Sequence, residues 1–309
     1  MFKLMRSLLI GAALVGVALP AAVEAATPAP AVAAKPAKSG YVEVNGVRYY
    51  YEIRGEGAPL LLLHGGLGST DMFAPLYPAL TAKRQVIAVD LYGHGRTALT
   101  DRPFTLEGMG ADMDAILAKL GYGKVDVMGY SLGGGVAFQL AAQHPERVNR
   151  LVLVSAGFAQ DGFYPDILAQ QGQVNAQAAS FMKETPMYQG YVAVAPRPQD
   201  FPKLLDTIGA YMKKPYDFSA DVKKLTMPTL LVFGDSDMYR PEHVVKFYQL
   251  LGGGLRDAGW QREHMPRNRL AILPGHTHYD IFLAPELVTT TLNFVDDAGG
   301  KADWKVATK

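Results

Sequence analysis

One serine of this sequence stands in the pattern of a catalytic nucleophile. Residues 129–133 read GYSLG, with Ser131 at the centre, and they directly follow the apolar run 125–128. A G-x-S-x-G pattern between a strand and a helix forms a sharp turn that lifts the serine hydroxyl out of the sheet. Glycine is needed on both sides because a Cβ there would collide with neighbouring backbone. The pattern predicts that Ser131 attacks an acyl carbonyl and that the N–H of Leu132, at the helix start, binds the oxyanion.

A second glycine-rich loop follows another apolar run. Residues 61–68 read LLLHGGLG, so a short strand runs into two glycines. Such a loop can direct a backbone N–H toward Ser131, and with the N–H of Leu132 it would complete a two-donor oxyanion hole. We predict Gly66 as the donor from this loop, with Leu67 as the alternative.

Two histidines after the last apolar run are candidates for the base. Residues 273–279 read LPGHTHY and contain His276 and His278. A base must reach the serine from a loop while a carboxylate holds its second ring nitrogen, and the residues alone leave both histidines open. His64 and His94 also follow apolar runs. We interpret both as structural, with hydrogen bonds to their own loops.

Two carboxylates compete to orient the histidine. Residues 234–237 read GDSD and follow the apolar run 230–233, so Asp235 lies next to the strand and Asp237 lies further out. A side chain at the outer position can reach sideways from the loop, whereas Asp235 suits a role in bracing the turn. The position therefore favours Asp237, with Asp235 as the alternative.

Composition excludes several other functions. The chain has 309 residues, a formal net charge of +1, 49% hydrophobic residues and no cysteine. An apolar and nearly neutral chain of this kind is not intrinsically disordered. It gives no electrostatic reason to expect nucleic acid or an acidic membrane surface as a partner. Without cysteine there are no disulfides, thiolate nucleophiles or cysteine-bound metals. The chemistry predicted for Ser131 needs neither a metal nor an organic cofactor, so we expect none.

Strand-like and helix-like patterns alternate along most of the chain. Asn45 and Gly46, between two strand-like runs, predict a hairpin. Short apolar runs typical of buried strands lie at 60–63, 86–89, 125–128, 151–154, 230–233 and 270–273. Helical patterns lie at 106–120, 136–142, 242–251 and 284–295. In the first of these helices we place Asp112 and Asp114 on the polar side. The alternation predicts an α/β fold, with a mostly parallel central sheet and helices on both faces.

Residues 158–225 interrupt this alternation. They contain no clear strand, and six prolines divide them into helix-like pieces that are rich in Phe, Tyr and Met. We predict a helical lid, inserted between the core segments 41–157 and 226–297. Its aromatic side chains either face an apolar substrate or form the core of the lid itself.

The N-terminus matches a secretory signal peptide. Lys3 and Arg6 precede an apolar run at 8–19 that is too short to span a bilayer comfortably. Cleavage is expected after Ala25 or, alternatively, Ala26. The predicted boundaries are 1–25 for the signal peptide, 26–40 for a flexible linker and 298–309 for a C-terminal tail. We expect a periplasmic or secreted protein with no stable membrane insertion after signal removal; an uncleaved anchor is the alternative.

These motifs together resemble the α/β-hydrolase superfamily. The resemblance covers nearly all of residues 41–297. Within the superfamily, the chain resembles the lid-bearing group of small esterases, lactonases, serine-type C–C hydrolases, proline iminopeptidases and cofactor-free haloperoxidases. The matching pieces are HGG at 64–66, DLYGHGR at 90–96, GYSLG at 129–133, Asp237, and GHTH at 275–278. The chain order of serine, acid and histidine is that of the superfamily as well. Family members usually place the acid at the later carboxylate of the turn and the histidine a few residues past the last strand. The resemblance therefore implies Asp237 and His278.

The resemblance also implies an activity. We expect a serine hydrolase with catalytic Ser131, Asp237 and His278, and with an oxyanion hole formed by Gly66 and Leu132. Its expected partner is a small-molecule acyl compound, a carboxylic ester or lactone of small to medium size and apolar character. Same-fold alternatives are a perhydrolase or haloperoxidase, a C–C hydrolase and an aminopeptidase. An alternative of another class is a receptor-like protein that binds a ligand and keeps a vestigial triad.

Overall fold

A hairpin forms one edge of the sheet. A computed structural model describes residues 38–296 of the chain. Strands β1 (Lys38–Val44) and β2 (Val47–Arg54) are antiparallel and are joined by Asn45 and Gly46. Both turn residues have positive φ, 49° and 75°, which is the geometry of a type I′ hairpin turn. The predicted hairpin is confirmed.

Six further strands complete an eight-stranded sheet in the order β1-β2-β4-β3-β5-β6-β7-β8. They are β3 (Ala58–Leu63), β4 (Arg84–Val89), β5 (Val125–Tyr130), β6 (Val148–Val154), β7 (Thr229–Ser236) and β8 (Arg269–Thr277). β2 is antiparallel to both of its neighbours, and all other neighbouring pairs are parallel. The mostly parallel sheet predicted from the apolar runs is confirmed, and its parallel strands end at one common edge.

Helices cover both faces of this sheet. In chain order they are α1 (Tyr77–Leu80), α2 (Leu106–Lys119), α3 (Leu132–Gln143), α4 (Pro165–Gln171), α5 (Pro186–Val194), α6 (Phe201–Met212), α7 (Ser219–Val222), α8 (Pro241–Leu250) and α9 (Pro285–Val295). Alternate residues of β3 belong to two separate cores. Leu61 and Leu63 pack with residues of α2, α3 and α8, whereas Leu60 and Leu62 pack with residues of α1 and α9. Burial on both faces explains why β3 reads as an unbroken apolar run.

The insertion between β6 and β7 is helical. Residues 158–225 lie entirely within the described part of the chain; they contain α4 to α7 and no strand. Phe201 is fully buried, and its ring lies 5.0 Å from that of Tyr188 and 5.2 Å from that of Tyr191. These aromatic side chains therefore form the core of the lid itself. Phe181, by contrast, is 85% exposed.

One prediction for α2 is wrong. Asp112 is fully buried, where it accepts hydrogen bonds from the hydroxyl of Tyr49 and the amide of Asn45 and forms an ion pair with Arg102. The apolar pattern of α2 placed this carboxylate on the polar side, but the hairpin covers this face of the helix and brings its own polar partners. A buried carboxylate is retained where it is paired and hydrogen-bonded in this way.

The predicted linker at 26–40 extends too far. β1 begins at Lys38, and its first three residues pair with Ile53, Glu52 and Tyr51 of β2. Main-chain pairing continues for as long as the partner strand does, even where the side chains have no apolar pattern. The predicted signal peptide at 1–25 and tail at 298–309 lie outside the described residues. Among the helices that the structure describes, none has both the length and the apolarity needed to cross a membrane.

Candidate active site

Ser131 lies in a strained turn between β5 and α3. Its backbone has a φ of 52° and a ψ of −116°, a region that a residue with a side chain rarely adopts. Hydrogen bonds hold the backbone of Ser131 on both sides. Its N–H donates to the carbonyl of Val154 at 2.9 Å, and its carbonyl accepts from the N–H of Gly135 at 3.0 Å. The turn is therefore fixed by the adjacent strand and by the helix that it opens.

The glycines on either side permit this turn by close backbone approach. A Cβ on Gly129 would lie 2.2 Å from the carbonyl oxygen of Gly133, and a Cβ on Gly133 would lie 2.4 Å from that of Leu63. Neither position has room for a side chain. The close contacts between β5, α3 and β3 thus explain why the sequence pattern requires glycine at these two positions.

Three predicted side chains meet in one hydrogen-bonded chain. Ser131 Oγ lies 3.0 Å from His278 Nε2, and His278 Nδ1 lies 3.1 Å from Asp237 Oδ1. Asp237 and His278 are buried, while Ser131 is half-buried. Asp237 directly follows β7 and His278 directly follows β8. The parallel strands end at the same edge of the sheet and bring together residues up to 147 positions apart.

The rival residues have other partners. Asp235 Oδ1 accepts a hydrogen bond from the N–H of Gly275 at 3.0 Å, which braces the turn after β7 against β8. The ring nitrogens of His276 lie 3.9 Å from carboxylate oxygens of Asp280 and Glu286. Within the described part of the chain, neither side chain contributes to the hydrogen bonds around Ser131.

The loop with the two glycines packs against the serine. A Cβ on Gly65 would lie 3.5 Å from Ser131 Cβ, and one on Gly66 would lie 4.0 Å from Leu132 Cβ. Among the described residues, no acceptor is bonded to the N–H groups of Gly66, Leu67 or Leu132. Gly66 therefore lies next to Leu132, the residue that follows the serine, and the N–H groups of both predicted donors and of the alternative, Leu67, are available.

The comparisons with known proteins identify the family of this chain. Residues 58–216, just over half of the chain, match the family model of the α/β-hydrolase fold. The chain belongs to the α/β-hydrolase family.

Curated relatives of this α/β-hydrolase include enzymes and uncharacterised proteins. An uncharacterised protein of Mycobacterium tuberculosis is 38% identical over 114 residues, which make up 37% of this chain and 33% of that protein. The chain thus matches about a third of that relative's length. A pimeloyl-[acyl-carrier protein] methyl ester esterase of Neisseria meningitidis serogroup B is 32% identical over 214 residues, or 60% of this chain and 77% of that enzyme.

Solved structures share the fold of this α/β-hydrolase. The enol-lactonase from Burkholderia xenovorans LB400 superposes with a TM-score of 0.62 over 83% of this chain and 100% of the lactonase. The two sequences are 20% identical. This likeness shows a common architecture, which includes the central sheet and the helices around it.

Two further residues touch the hydrogen-bonded chain of this α/β-hydrolase. The hydroxyl of Tyr130 donates to the carbonyl oxygen of His278 at 2.6 Å, and the two rings lie 5.5 Å apart. The hydroxyl of Ser155 donates to Asp237 Oδ2. The sequence patterns pointed to neither residue, although Tyr130 adjoins the nucleophile and Ser155 follows a strand end.

His64 and His94 are structural, as predicted. His64 accepts the N–H of Leu91 at Nε2 (3.0 Å), which leaves Nδ1 as the donor to the carbonyl of Gly65 (2.7 Å). His94 Nδ1 lies 2.9 Å from the carbonyl of Tyr92. Both rings are fully buried. They fix the loops around the site as neutral imidazoles.

Acid is expected to destabilise this fold through its buried histidines. Burial lowers the pKa of His64 from 6.5 to about 3 and those of His94 and His243 to about 4. Below pH 6.5 the unfolded chain binds protons that the folded protein does not, so each histidine lowers the free energy of unfolding by about 1.4 kcal/mol per pH unit. Burial raises the pKa of Asp90 to about 6, and this carboxyl acts in the opposite direction because the folded protein binds its proton first. The loss from the three histidines outweighs the gain from the one carboxyl, so we expect the free energy of unfolding to fall by roughly 3 kcal/mol between pH 6 and pH 5.

Urea unfolding at pH 7, 6 and 5 measures this loss. The variant His94→Gln should reduce the slope by about 1.4 kcal/mol per unit, because one titrating imidazole is removed. His264→Gln, in an exposed loop, is the matched control and should keep the wild-type slope. An unfolding free energy that stays constant from pH 7 to pH 5 would contradict the prediction.

One group of side chains outside this site has the composition of a metal site. Among the described residues, Asp114, His144 and Glu146 have potential ligand atoms within 4.8 Å of one another. Asp114 already pairs with Arg147 at 2.6 Å, and His144 follows the far end of α3 from Ser131. The group therefore belongs to the surface and not to the chemistry at Ser131.

A cavity of about 590 Å³ opens on the lid and is lined in part by Phe181, Tyr188 and Phe201. Its lining includes none of the three side chains of the hydrogen-bonded chain. This cavity is therefore distinct from the hydrogen-bonded chain at Ser131.

Proposed function

We propose that this chain is a serine hydrolase that cleaves carboxylic esters or lactones through an acyl-enzyme on Ser131. The observation that carries the proposal is the hydrogen-bonded chain from Ser131 Oγ through His278 to Asp237, at 3.0 and 3.1 Å. These distances are those at which a general base takes a proton from a nucleophile and is itself oriented by an acid.

His278 acts first as the base. As Ser131 Oγ attacks the acyl carbonyl, its proton passes to His278 Nε2. Asp237 accepts the Nδ1–H of the same ring, which holds the correct tautomer and stabilises the imidazolium that forms. The buried position of Asp237 keeps water from competing for this hydrogen bond.

The backbone stabilises the charge on the substrate. The carbonyl oxygen becomes an oxyanion in the tetrahedral intermediate and accepts the N–H groups of Gly66 and Leu132. Leu132 is the first residue of α3, so the partial positive charge of a helix N-terminus adds to the stabilisation.

Collapse of the intermediate releases the alcohol. His278 gives its proton to the leaving oxygen, and the acyl group remains on Ser131. Water then loses a proton to His278, attacks the acyl-enzyme, and displaces Ser131 Oγ, which regains its proton. A lactone follows the same steps, but its alcohol and acid leave as one molecule.

We propose that the acyl group of the substrate is apolar and of small to medium size. Leu132 directly follows the serine and Leu67 lies in the adjacent glycine-rich loop; both are partly exposed, and their side chains pack against the apolar core. The names of the related esterase and of the structurally similar enol-lactonase support esters and lactones as substrates. The partner that we propose is accordingly a small acyl compound and not a nucleic acid or a membrane.

Hydrolysis of p-nitrophenyl esters from acetyl to dodecanoyl tests the proposal, with γ- and δ-lactones assayed alongside. We expect turnover that requires Ser131 and an optimum at short to medium chain length. A folded protein that neither turns over these compounds nor reacts with a fluorophosphonate at Ser131 would refute the proposal, and it would favour a ligand-binding protein instead.

We also propose that the protein is exported, with residues 1–25 as a signal peptide. The support is the charged start, the apolar run and the small residues near Ala25 in the sequence. Expression in a Gram-negative host should yield a periplasmic form whose N-terminus is Ala26 or Thr27. Fractionation with N-terminal sequencing measures this. Full-length protein in the cytoplasm would contradict export, and full-length protein in the membrane would indicate an uncleaved anchor.

A further inference from the structure

The residue that follows β6 has an unusual backbone. Ser155 is fully buried and has a φ of 48°, in the left-handed region that favours glycine. A residue with a side chain stays in this region only where its surroundings hold it there.

Ser155 and its neighbour Val154 contact both functional loops. The carbonyl of Val154 accepts the N–H of Ser131 at 2.9 Å. The N–H of Ser155 donates to the carbonyl of Val232 in β7 at 2.8 Å, and its hydroxyl donates to Asp237 Oδ2. The end of β6 therefore holds the backbone of the nucleophile on one side and the carboxylate of the acid on the other.

The two oxygens of Asp237 have different partners. Oδ1 lies 3.1 Å from His278 Nδ1 and accepts the N–H of Met238 at 2.8 Å. Oδ2 accepts the Ser155 hydroxyl and, at 3.4 Å, the N–H of Gly234. A contact of 3.4 Å is long for an N–H to oxygen bond, so the hydroxyl is the principal donor to Oδ2. Without it, a buried oxygen would lose its close partner and the carboxylate could rotate.

We infer that Ser155 is a positioning residue for the proposed reaction. Its hydroxyl fixes the plane of the Asp237 carboxylate, so that Oδ1 faces His278 Nδ1 and the imidazole keeps its orientation toward Ser131. The inference rests on the proposed function, because it assigns Ser155 a role only through the acid of that mechanism.

The positive φ determines which variant tests this role. Alanine would remove the hydroxyl but keep the strained backbone, so its effect would be mixed. Glycine adopts this φ freely, so Ser155→Gly removes the hydroxyl without adding backbone strain. Thr229→Val is the matched control: Thr229, at the start of β7, is also fully buried, and among the described residues the one acceptor of its hydroxyl is the carbonyl of Met227.

Steady-state kinetics with one p-nitrophenyl ester test the positioning role of Ser155. The proteins compared are wild type, Ser155→Gly, Asp237→Asn, the double variant and Thr229→Val. We expect Ser155→Gly to lower kcat about 10- to 30-fold, as for the loss of a hydrogen bond to a charged group, with KM within about twofold. In the Asp237→Asn background the same change should lower kcat less than about twofold, because the group that it orients is gone. Thr229→Val should keep the wild-type kcat.

Three outcomes would overturn the inference. If Ser155→Gly keeps the wild-type kcat while Asp237→Asn is strongly impaired, Ser155 has no positioning role, although the proposed function stands. If Ser155→Gly causes the same fold-loss in both backgrounds, its effect does not pass through Asp237. If Asp237→Asn itself keeps the wild-type kcat, the acid of the proposed function is wrong and the inference falls with it.

Discussion

Replacing Ser131 by alanine is expected to lower kcat by roughly 10⁴- to 10⁶-fold, because no other group can form the acyl-enzyme. The residual rate would come from the oxyanion donors and from substrate binding alone. Stability should change little, since the side chain is half-buried and the hydrogen bonds that hold the turn come from the backbone. Ester hydrolysis and urea unfolding of the same preparation measure both quantities.

Ser180→Ala is the matched control for that variant. Ser180 is an exposed lid residue whose hydroxyl bonds the carbonyl of Gln177, so its removal should leave kcat unchanged. Labelling by a fluorophosphonate should be lost in Ser131→Ala and kept in Ser180→Ala. An undiminished rate in Ser131→Ala would end the proposal of a serine mechanism.

The second large effect is expected at Asp237. Asp237→Asn should lower kcat by about 10³- to 10⁴-fold, because an amide that donates toward Nδ1 selects the wrong tautomer of His278. Asp235→Asn should stay within a few-fold of wild type, since Asp235 is exposed and bonds the backbone of Gly275. Side-by-side measurement of kcat for the two variants distinguishes the acids.

Asp235→Asn is the control for Asp237→Asn, because both changes remove one negative charge from the same turn. A general effect of charge would impair the two enzymes equally. If Asp235→Asn is the more damaging change, the assignment of the acid is incorrect.

Local patterns predicted the parts of the fold that depend on neighbouring residues. The apolar runs marked β3 to β8 because a strand buried on both faces needs no polar position. Glycines at 129 and 133 marked the turn at Ser131 because backbone contacts there exclude any side chain. The hairpin followed from Asn45 and Gly46, which accept positive φ.

Contacts between distant residues could not be predicted in this way. Asp112 appeared to face solvent because its helix was considered alone, yet Tyr49, 63 positions earlier, bonds it in the interior. Ser155 lies 82 positions from Asp237 and Tyr130 lies 148 from His278, so nothing local connects these pairs. Their roles emerge only when the sheet order brings the strand ends together.

The order of the strands has a consequence for biosynthesis. His278 follows β8, the outermost strand of the sheet, whose pairing in the sheet is with β7 alone. A ribosome makes Ser131 long before His278, so the nascent chain carries the proposed nucleophile without its proposed base until β8 pairs with β7. Any activity that depends on His278 can therefore begin only after the final strand of the sheet has paired with β7.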